Sequence, residues 1–347
     1  MPINPCFPSI AAAVELDELL SEPSDLAVER VARVEGDIML LGAGGKMGPT
    51  LARMARRATE LAGVHRRVIA VSRFSSASSR AWLDANGVET ISCDLLDQEQ
   101  LRRLPKARNL IFMAGVKFGT SGREAEMWAM NCHLPALVCQ QFPESRIVAF
   151  STGNVYGLTS AEQGGAREAD PPRPVGEYAM ACLGRERIFE HFSTQFDIPV
   201  SLLRLNYATE LRYGVLVDLA RKVWSGETID VAMGYFNVIW QADANAAALC
   251  ALENALSPPF VVNVTGPEQL SVRQVCEEFG RLFHKPVGFR GEEAPDALLS
   301  NGQLGFGSFG PPRYKAAELI QAVAAWIQGG GELLGKPTHF ESRDGHF

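Results

Sequence analysis

From residue 37 onward, short apolar runs alternate with longer stretches in which apolar residues recur at helical spacing. The apolar runs cover Ile38–Leu41, Val68–Val71, Val88–Ser92, Leu110–Met113, Ile147–Phe150 and Val200–Leu205. The longer stretches include Thr50–Leu61 and Met127–Gln140. Continuous apolar runs of this length are typical of parallel strands that helices cover on both faces. The pattern predicts an α/β fold with a doubly wound parallel sheet of the Rossmann type.

Two regions flank this pattern. Leucines and valines at helical spacing predict two short amphipathic helices in an N-terminal extension over residues 1–35. After Asn206 the pattern predicts helices over Leu211–Trp224, Ser271–Phe283 and Ala316–Ile327, and short strands over Phe236–Trp240 and Phe260–Val264. We therefore expect a main domain over residues 36–205, to which 237–257 return. A smaller interleaved C-terminal substrate lobe and tail would comprise 206–236 and 258–347.

Composition narrows the class of protein. Of the 347 residues, 46% are hydrophobic and 21% are charged, which predicts a folded globular chain. The net charge of -7 argues against a nucleic-acid-binding surface. Because no apolar run reaches the ~20 residues of a membrane span and the N-terminus lacks a secretory signal, we expect a cytoplasmic protein without a membrane partner. The cysteines form no C-x-x-C pair and the histidines lack metal-ligand spacing, so we expect neither disulfides nor a metal site.

A glycine-rich loop follows the first predicted strand. The strand runs directly into Gly42-Ala43-Gly44-Gly45-Lys46-Met47-Gly48, and a helical pattern begins at once. Gly42 permits the tight turn, a glycine at 44 or 45 lets backbone N–H groups approach a pyrophosphate, and Gly48 lets the helix pack on the strand. The positive end of the helix dipole stabilises the pyrophosphate. This context favours a dinucleotide site in the main domain over a glycine-rich turn without a ligand.

The end of the second predicted strand bears on the choice between NADP and NAD. An acidic residue at this place would meet the free ribose 2′-hydroxyl of NAD, but the chain has Ser72 and Arg73. A hydroxyl and a guanidinium suit a 2′-phosphate, so NADP is favoured, and a solvated surface arginine is the alternative. Asp94 and Leu95, after the third strand, are placed to meet the adenine edge.

The order of these motifs resembles the extended short-chain dehydrogenase/reductases, the NAD-dependent epimerase/dehydratase family, over roughly residues 37 to 328. The other matching positions are Ala114-Gly115, Asn131, Ser151-Thr152-Gly153-Asn154-Val155-Tyr156-Gly157, Tyr178 and Trp326. Ala114-Gly115-Val116-Lys117 also resembles UDP-galactose 4-epimerases, in which the lysine contacts the cofactor. Together with the glycine loop, the resemblance implies a cofactor site of Gly42, Gly45, Lys46, Met47, Gly48, Ser72, Arg73, Asp94, Leu95, Ala114, Gly115, Lys117, Asn131 and Cys182.

The resemblance also implies the chemistry. Tyr178 would exchange a proton with a sugar hydroxyl, and Thr152 would hydrogen bond to the same oxygen. Asn154 and Asn206 are the implied substrate contacts. The family's spacing around the second of these is one residue longer than in this chain.

Cys182 occupies the position of the family's catalytic lysine. The family has a tyrosine, three residues and a lysine, whereas this chain has Tyr178-Ala179-Met180-Ala181-Cys182, and Glu186 keeps the alignment in register. The lysine would bind the nicotinamide ribose and lower the tyrosine pKa, and a thiol supplies no positive charge. Oxidised nicotinamide, Lys117 and Arg185 are the remaining sources of charge. We expect Cys182 to be a buried, inert thiol rather than a redox-active one.

Three functions remain open, of which the third is a non-redox enzyme that uses the bound nucleotide structurally. The first is a nicotinamide-dependent epimerase, dehydratase or oxidoreductase that acts on a sugar or sugar-acid derivative with an atypical active site. The second is an NAD(P)-binding protein without turnover, either a redox sensor or a scaffold. The expected partner is a small-molecule substrate. Members of the family often dimerise through two long helices, which implies a homodimer by analogy.

Overall fold

A seven-stranded parallel sheet forms the centre of the protein, whose structure is a computed structural model that describes residues 7–116 and 122–345. The strands are β1 (Ile38–Leu41), β2 (Val68–Ser72), β3 (Glu89–Ser92), β4 (Asn109–Phe112), β5 (Arg146–Thr152), β6 (Val200–Leu205) and β7 (Phe260–Val264). Their order is β3-β2-β1-β4-β5-β6-β7. The order reverses between β1 and β4, and the crevice outside the carboxyl ends of the strands at such a point is where α/β sheets bind ligands. The predicted fold class is confirmed.

Helices cover both faces of the sheet and build the smaller lobe. They are α1 (Ala13–Leu20), α2 (Asp25–Arg33), α3 (Gly48–Leu61), α4 (Ala77–Ala85), α5 (Gln98–Arg103), α6 (Glu124–Trp128), α7 (Leu134–Gln141), α8 (Gly176–Phe196), α9 (Val215–Ser225), α10 (Gln241–Cys250), α11 (Val272–Phe283), α12 (Gln303–Phe309) and α13 (Ala316–Gln328). Side chains of β1 alternate between two cores, with Ile38 and Leu40 in one and Met39 and Leu41 in the other. This burial on both faces explains why apolar runs without alternation mark the strands.

The N-terminal extension packs on one of these faces. Its two predicted helices are α1 and α2, which contact α3. Leu16 and Leu20 of α1 and Val31 of α2 are fully buried in the same core as α3. The extension therefore completes one helical layer of the main domain.

Three predicted elements differ from the structure. Phe260–Val264 pairs with β6 as an edge strand of the main sheet, so the expected lobe boundary at 258 cuts off a strand of that sheet. The expected strand Phe236–Trp240 is two strands with different partners, because the buried Asn237 between them accepts hydrogen bonds from Asn206 and Ser300. The expected long helix Met127–Gln140 is interrupted by a π-helical turn at Ala129–His133.

Short two-stranded sheets join the lobe to the main domain and link segments within the lobe. Thr159–Ser160 pairs with Asp296–Ala297, Ala208–Thr209 with Ile239–Trp240, Ile229–Asp230 with Phe289–Arg290, and Tyr235–Phe236 with Leu270–Ser271. In this lobe α9 packs against α11 and α13. Across the described ranges, none of the helices has the length and apolar character to cross a membrane.

The segment 331–345, called the tail below, runs across the lobe without regular structure. Thr338 donates from its backbone N–H and its hydroxyl to the carboxylate of Asp218 on α9, at 2.8 and 2.6 Å. Glu341 forms an ion pair with Lys222 of the same helix. Further along, Gly345 lies so close to Gly176 that a Cβ on Gly176 would be 2.5 Å from the Gly345 carbonyl oxygen. The tail thus fixes α9 and reaches the start of α8.

Candidate cofactor and active site

A cleft of about 350 Å³ opens at the carboxyl edge of the sheet, between the glycine loop and the lobe. Its lining from the main sheet side consists of Gly42, Gly45, Lys46, Met47, Met113, Gly115, Val116, Phe150, Ser151, Thr152, Asn154, Tyr178 and Arg185. Its lining from the end of β6 and the chain beyond it consists of Leu205, Asn206, Tyr207, Ala208, Tyr213, Val215, Gln241 and Thr338. Many of the residues that the sequence selects therefore meet in one cleft.

The glycine loop fits a dinucleotide. Gly42 has a φ of +91°, and a Cβ there would lie 2.6 Å from the backbone of Ala114. A Cβ on Gly48 would lie 2.2 Å from the Ala43 carbonyl oxygen, so close packing of α3 on the loop requires glycine. At Gly45, in contrast, no atom lies within 3.8 Å of such a Cβ, which leaves room for a pyrophosphate beside the N-terminus of α3. Ala114 is buried, and it contributes to the cofactor site through its backbone, which packs on the loop.

None of the four residues predicted for the adenosine end, Ser72, Arg73, Asp94 and Leu95, lines the cleft. Ser72 faces the loop, because a Cβ on Gly44 would lie 2.4 Å from its hydroxyl oxygen. Arg73 is exposed, and within the described part of the chain it forms no ion pair. Asp94 is half-buried and accepts a hydrogen bond from the Leu96 N–H at 3.1 Å, while Leu95 is buried. The guanidinium of Arg73 is thus open to an anion.

The end of β5 and the first turn of α8 bring Thr152 and Tyr178 together. Hydrogen bonds join the Tyr178 hydroxyl to Thr152 and to Cys182 one turn further along the helix. Burial raises the pKa of Tyr178 well above its usual value and Cys182 raises this pKa further, whereas the charge of Arg185 and the hydrogen bond of Thr152 lower it. Cys182 itself is fully buried, as are Cys250 and Cys276 in other parts of the core.

The π-helical turn positions Asn131 beside the loop that follows β4. Asn131 is fully buried, donates to the Val116 carbonyl oxygen at 3.2 Å and accepts from the Val116 N–H at 3.4 Å. It also accepts a hydrogen bond from Arg185. Asn131 therefore holds the loop and the arginine and does not itself line the cleft. Lys117, the next residue of the loop, lies outside the described residues.

Arg185 is a buried cation that lines the cleft. The residue is only 6% exposed, and one guanidinium nitrogen donates to the Phe150 carbonyl oxygen at 2.6 Å. A Cβ on Gly115 would lie 2.4 Å from its other terminal nitrogen. The glycine in the turn after β4 thus makes room for the guanidinium.

A second buried network anchors α8 to the sheet. Glu186 accepts from Arg204 of β6 at 2.7 and 3.0 Å and from the Ser151 hydroxyl at 2.5 Å. Arg204 also donates to the Tyr156 hydroxyl at 2.7 Å. The network fixes the residue next to Thr152 and the helix that carries Tyr178, so it sets the geometry of the pair.

The lobe side of the cleft contains residues that the sequence does not single out. Tyr207 has a φ of +48°, and its hydroxyl is buried without a hydrogen-bond partner in the described part of the chain. Thr338 enters from the tail, and the Lys46 ammonium lies 3.3 Å from the centre of the Tyr213 ring, across the cleft. For Tyr207, the sequence offers one indication of a place in the cleft, which is that it is an aromatic residue next to Asn206. For Thr338 it offers none, because the tail has no periodicity.

The two expected substrate asparagines differ in their surroundings. Both are buried and line the cleft. The Asn206 amide donates to Asn237 at 3.2 Å and to the Leu298 carbonyl oxygen at 3.3 Å, which ties β6 to the lobe. Asn154 donates its backbone N–H to the Thr152 hydroxyl at 3.2 Å.

Residues 38–229 match the NAD dependent epimerase/dehydratase family. The chain belongs to this family. A search of curated protein sequences found no match.

The fold is similar to that of solved structures with low sequence identity. A dTDP-glucose 4,6-dehydratase from Bacillus anthracis, in complex with NAD, has a TM-score of 0.70 at 15% identity, over 85% of this chain and 97% of that chain. MoeE5 in complex with UDP-glucose and NAD has a TM-score of 0.67 at 19% identity, over 85% and 99%. A UDP-glucuronic acid 4-epimerase from Bacillus cereus, in complex with UDP-glucuronic acid and NAD, has a TM-score of 0.67 at 15% identity, over 84% and 99%.

Proposed function

We propose that the protein is a nicotinamide-dependent epimerase, dehydratase or oxidoreductase that acts on a sugar or sugar-acid derivative. One observation carries this proposal: the hydroxyls of Tyr178 and Thr152 meet in a cleft that begins at a glycine loop fitted to a dinucleotide. The family and the sugar nucleotides bound by the similar structures support the substrate class.

Different side chains of the protein have different roles in the proposed reaction of the sugar. A bound nicotinamide dinucleotide supplies hydride acceptance and return. Tyr178 takes the proton of the hydroxyl group on the oxidised carbon, or returns it in the reverse direction, and Thr152 hydrogen bonds to the same oxygen. Asn154 and Asn206 lie in the cleft beside this pair and are the proposed substrate contacts.

The glycine loop and its neighbours are the proposed cofactor site. Gly42, Gly45 and Gly48 give the backbone its close approach, and Lys46 and Met47 line the cleft beside them. We propose that Ser72 and Arg73 meet the 2′-phosphate of NADP and that Asp94 and Leu95 meet the adenine. The open guanidinium of Arg73 supports the preference for NADP, while the similar structures named above hold NAD.

The cofactor preference is tested by calorimetric titration with NADPH and NADH. We expect tighter binding of NADPH, and Arg73→Asp should weaken NADPH binding by about 1.5 to 3 kcal/mol, because a charged hydrogen bond is lost. NADH binding should change little. Arg102→Asp makes the same charge change at an exposed site on α5 and serves as the control. Equal affinities, or a preference for NADH, would contradict the assignment to NADP.

Turnover is tested by incubating the purified protein with NADP or NAD and a panel of sugars, sugar acids and nucleotide sugars. Product chromatography detects epimerisation and dehydration, and nicotinamide absorbance detects net oxidation. Tyr178→Phe is the negative control. The buried Cys182 at the lysine position favours the second function, a cofactor-binding protein without turnover. That function is indicated if the cofactor binds and no substrate in the panel reacts.

A further inference from the structure

The cation that the family places one turn after its tyrosine is missing, and Arg185 lies one further turn along the same helix. We propose that Arg185 takes over the task of the missing lysine and stabilises the phenolate of Tyr178. Arg185 is thus a positioning residue that acts through Tyr178. The inference rests on the proposed function only in so far as Tyr178 is its proton carrier.

The helix places the two residues on one face. Tyr178 and Arg185 are two turns apart on α8, and long helical side chains lean toward the helix N-terminus, which here is the direction of Tyr178. Both residues line the cleft. The charge of Arg185 acts on the tyrosine in the direction expected of the lysine, because it lowers the pKa of Tyr178.

The charge of Arg185 has no counterion in the described part of the chain. Its hydrogen-bond acceptors are the Phe150 carbonyl oxygen and the Asn131 amide oxygen, both neutral. The neighbouring carboxylate of Glu186 is already paired with Arg204. The Nε of Arg185 is buried without a hydrogen-bond partner. A buried cation without an anion is costly, and the anion that the proposed reaction forms beside it is the Tyr178 phenolate.

In the described part of the chain, the surroundings hold this cation in place and put no carboxylate within ion-pair distance of it. Gly115 leaves the space that the guanidinium fills, and Asn131 in the π-helical turn binds it. Among the described residues, the titratable groups that act on the pair are the thiols of Cys182, on the same helix, and Cys132, on the π-helical turn, and the ammonium of Lys46 lines the same cleft. Burial raises the pKa of Cys132, which keeps that thiol neutral.

The test measures the ionisation of the residue at position 178 directly. A fluorinated tyrosine is incorporated there by nonsense suppression, because its lower intrinsic pKa brings the titration into the range in which the protein is stable. Phenolate absorbance is then followed against pH in the parent chain, Arg185→Met and Arg187→Met. Arg187, the control, is exposed on the same helix and pairs with Glu190.

We expect Arg185→Met to raise the pKa at position 178 by about one unit or more and Arg187→Met to leave it unchanged. Adding Cys182→Lys to Arg185→Met should bring the pKa back down, since it returns a cation to the family's position. Arg185→Lys, which keeps the charge, covers the case in which Arg185→Met does not fold. Equal pKa values for the parent, Arg185→Met and Arg185→Lys would overturn the proposal.

The kinetic counterpart separates this inference from the proposed function. With a substrate in hand, Arg185→Met should shift the pH profile of kcat for hydroxyl oxidation to higher pH and lower kcat at neutral pH about tenfold, with little change in KM. A pKa shift at position 178 without turnover in any variant refutes the proposed function alone. Turnover with a pKa that Arg185 does not influence refutes this inference alone.

Discussion

The hydroxyl of Thr152 is the single group whose removal best tests the proposed proton transfer, because it contacts Tyr178 directly. Thr152→Val removes the hydroxyl and keeps the shape of the side chain. We expect kcat to fall about 100-fold, the usual effect of removing one hydrogen-bond donor from a reacting oxygen, and cofactor affinity to stay within about twofold. Steady-state kinetics and calorimetry measure the two effects.

Two matched variants complete this test. Thr152→Ser keeps the hydroxyl and should retain most of the activity. Thr159→Val makes the same substitution at a threonine whose hydroxyl donates to the Leu299 carbonyl oxygen, and it should leave kcat unchanged. An equal loss of activity in Thr152→Val and Thr159→Val would mean that the hydroxyl acts through folding and not at the reacting oxygen.

At this scale the sequence could predict the residues that lie in ordered motifs. Thr152 and Tyr178 follow strand and helix patterns that fix where they point. Tyr207 and Thr338 could not be predicted, because the spacing at Tyr207 departs from the family's and the tail has no periodicity from which a direction follows. The role of Asn131 as the holder of Arg185 depends on the π-helical turn, which no residue pattern marks.

Helix α8, which carries Tyr178, is anchored to strand β6 of the sheet by the ion pair of Glu186 and Arg204. Both side chains are nearly fully buried, so removing one partner leaves an unpaired charge inside the protein. We expect Glu186→Leu to lower the free energy of unfolding by about 3 to 5 kcal/mol. Urea denaturation followed by circular dichroism measures the change.

The double variant Glu186→Leu with Arg204→Met distinguishes an unpaired charge from a simple loss of packing. It removes both charges, so it should recover a large part of the stability lost in Glu186→Leu. If the double variant is less stable than Glu186→Leu, the pair contributes through its contacts with Ser151 and Tyr156 and not through charge balance.

The strands of the main sheet were the most predictable elements. The ends of β1 and β6 agree with the apolar runs, because helices cover both faces of these strands. The helix α12 was not predicted, since it lies in a stretch rich in glycine and proline. Local composition there argues against a helix, and the packing of α12 against β7 overrides it.

At the scale of the whole molecule, the tail connects the lobe, the cleft and the start of α8. Truncation after Gly331 removes the bond of Thr338 to Asp218 and the ion pair of Glu341 with Lys222. We expect a higher KM for the sugar substrate and a lower melting temperature, while cofactor affinity stays within about threefold, because the glycine loop keeps its support from α3. Kinetics, thermal denaturation and calorimetry test the three parts. An unchanged KM would show that the tail does not shape the substrate side of the cleft.

The expected domain limits show what patterning leaves open at this scale. The alternation of strands and helices predicted a Rossmann sheet, and the glycine loop after the first strand predicted the position of its dinucleotide site. Whether Phe260–Val264 belongs to the sheet or the lobe depends on pairing with β6, across a long stretch of intervening chain. Such long-range pairing is not encoded in local periodicity.

The position of Thr338 also bears on the order in which cofactor binding and turnover recover while the protein refolds. The cleft is complete only when both the loop after β1 and the tail are in place. Contacts between segments so far apart in sequence form slowly, because a long loop must close first. During refolding from urea, far-ultraviolet circular dichroism should therefore recover before substrate-dependent turnover does. A chain in which the tail has not yet docked would already bind the dinucleotide, so recovery of cofactor binding should precede recovery of turnover.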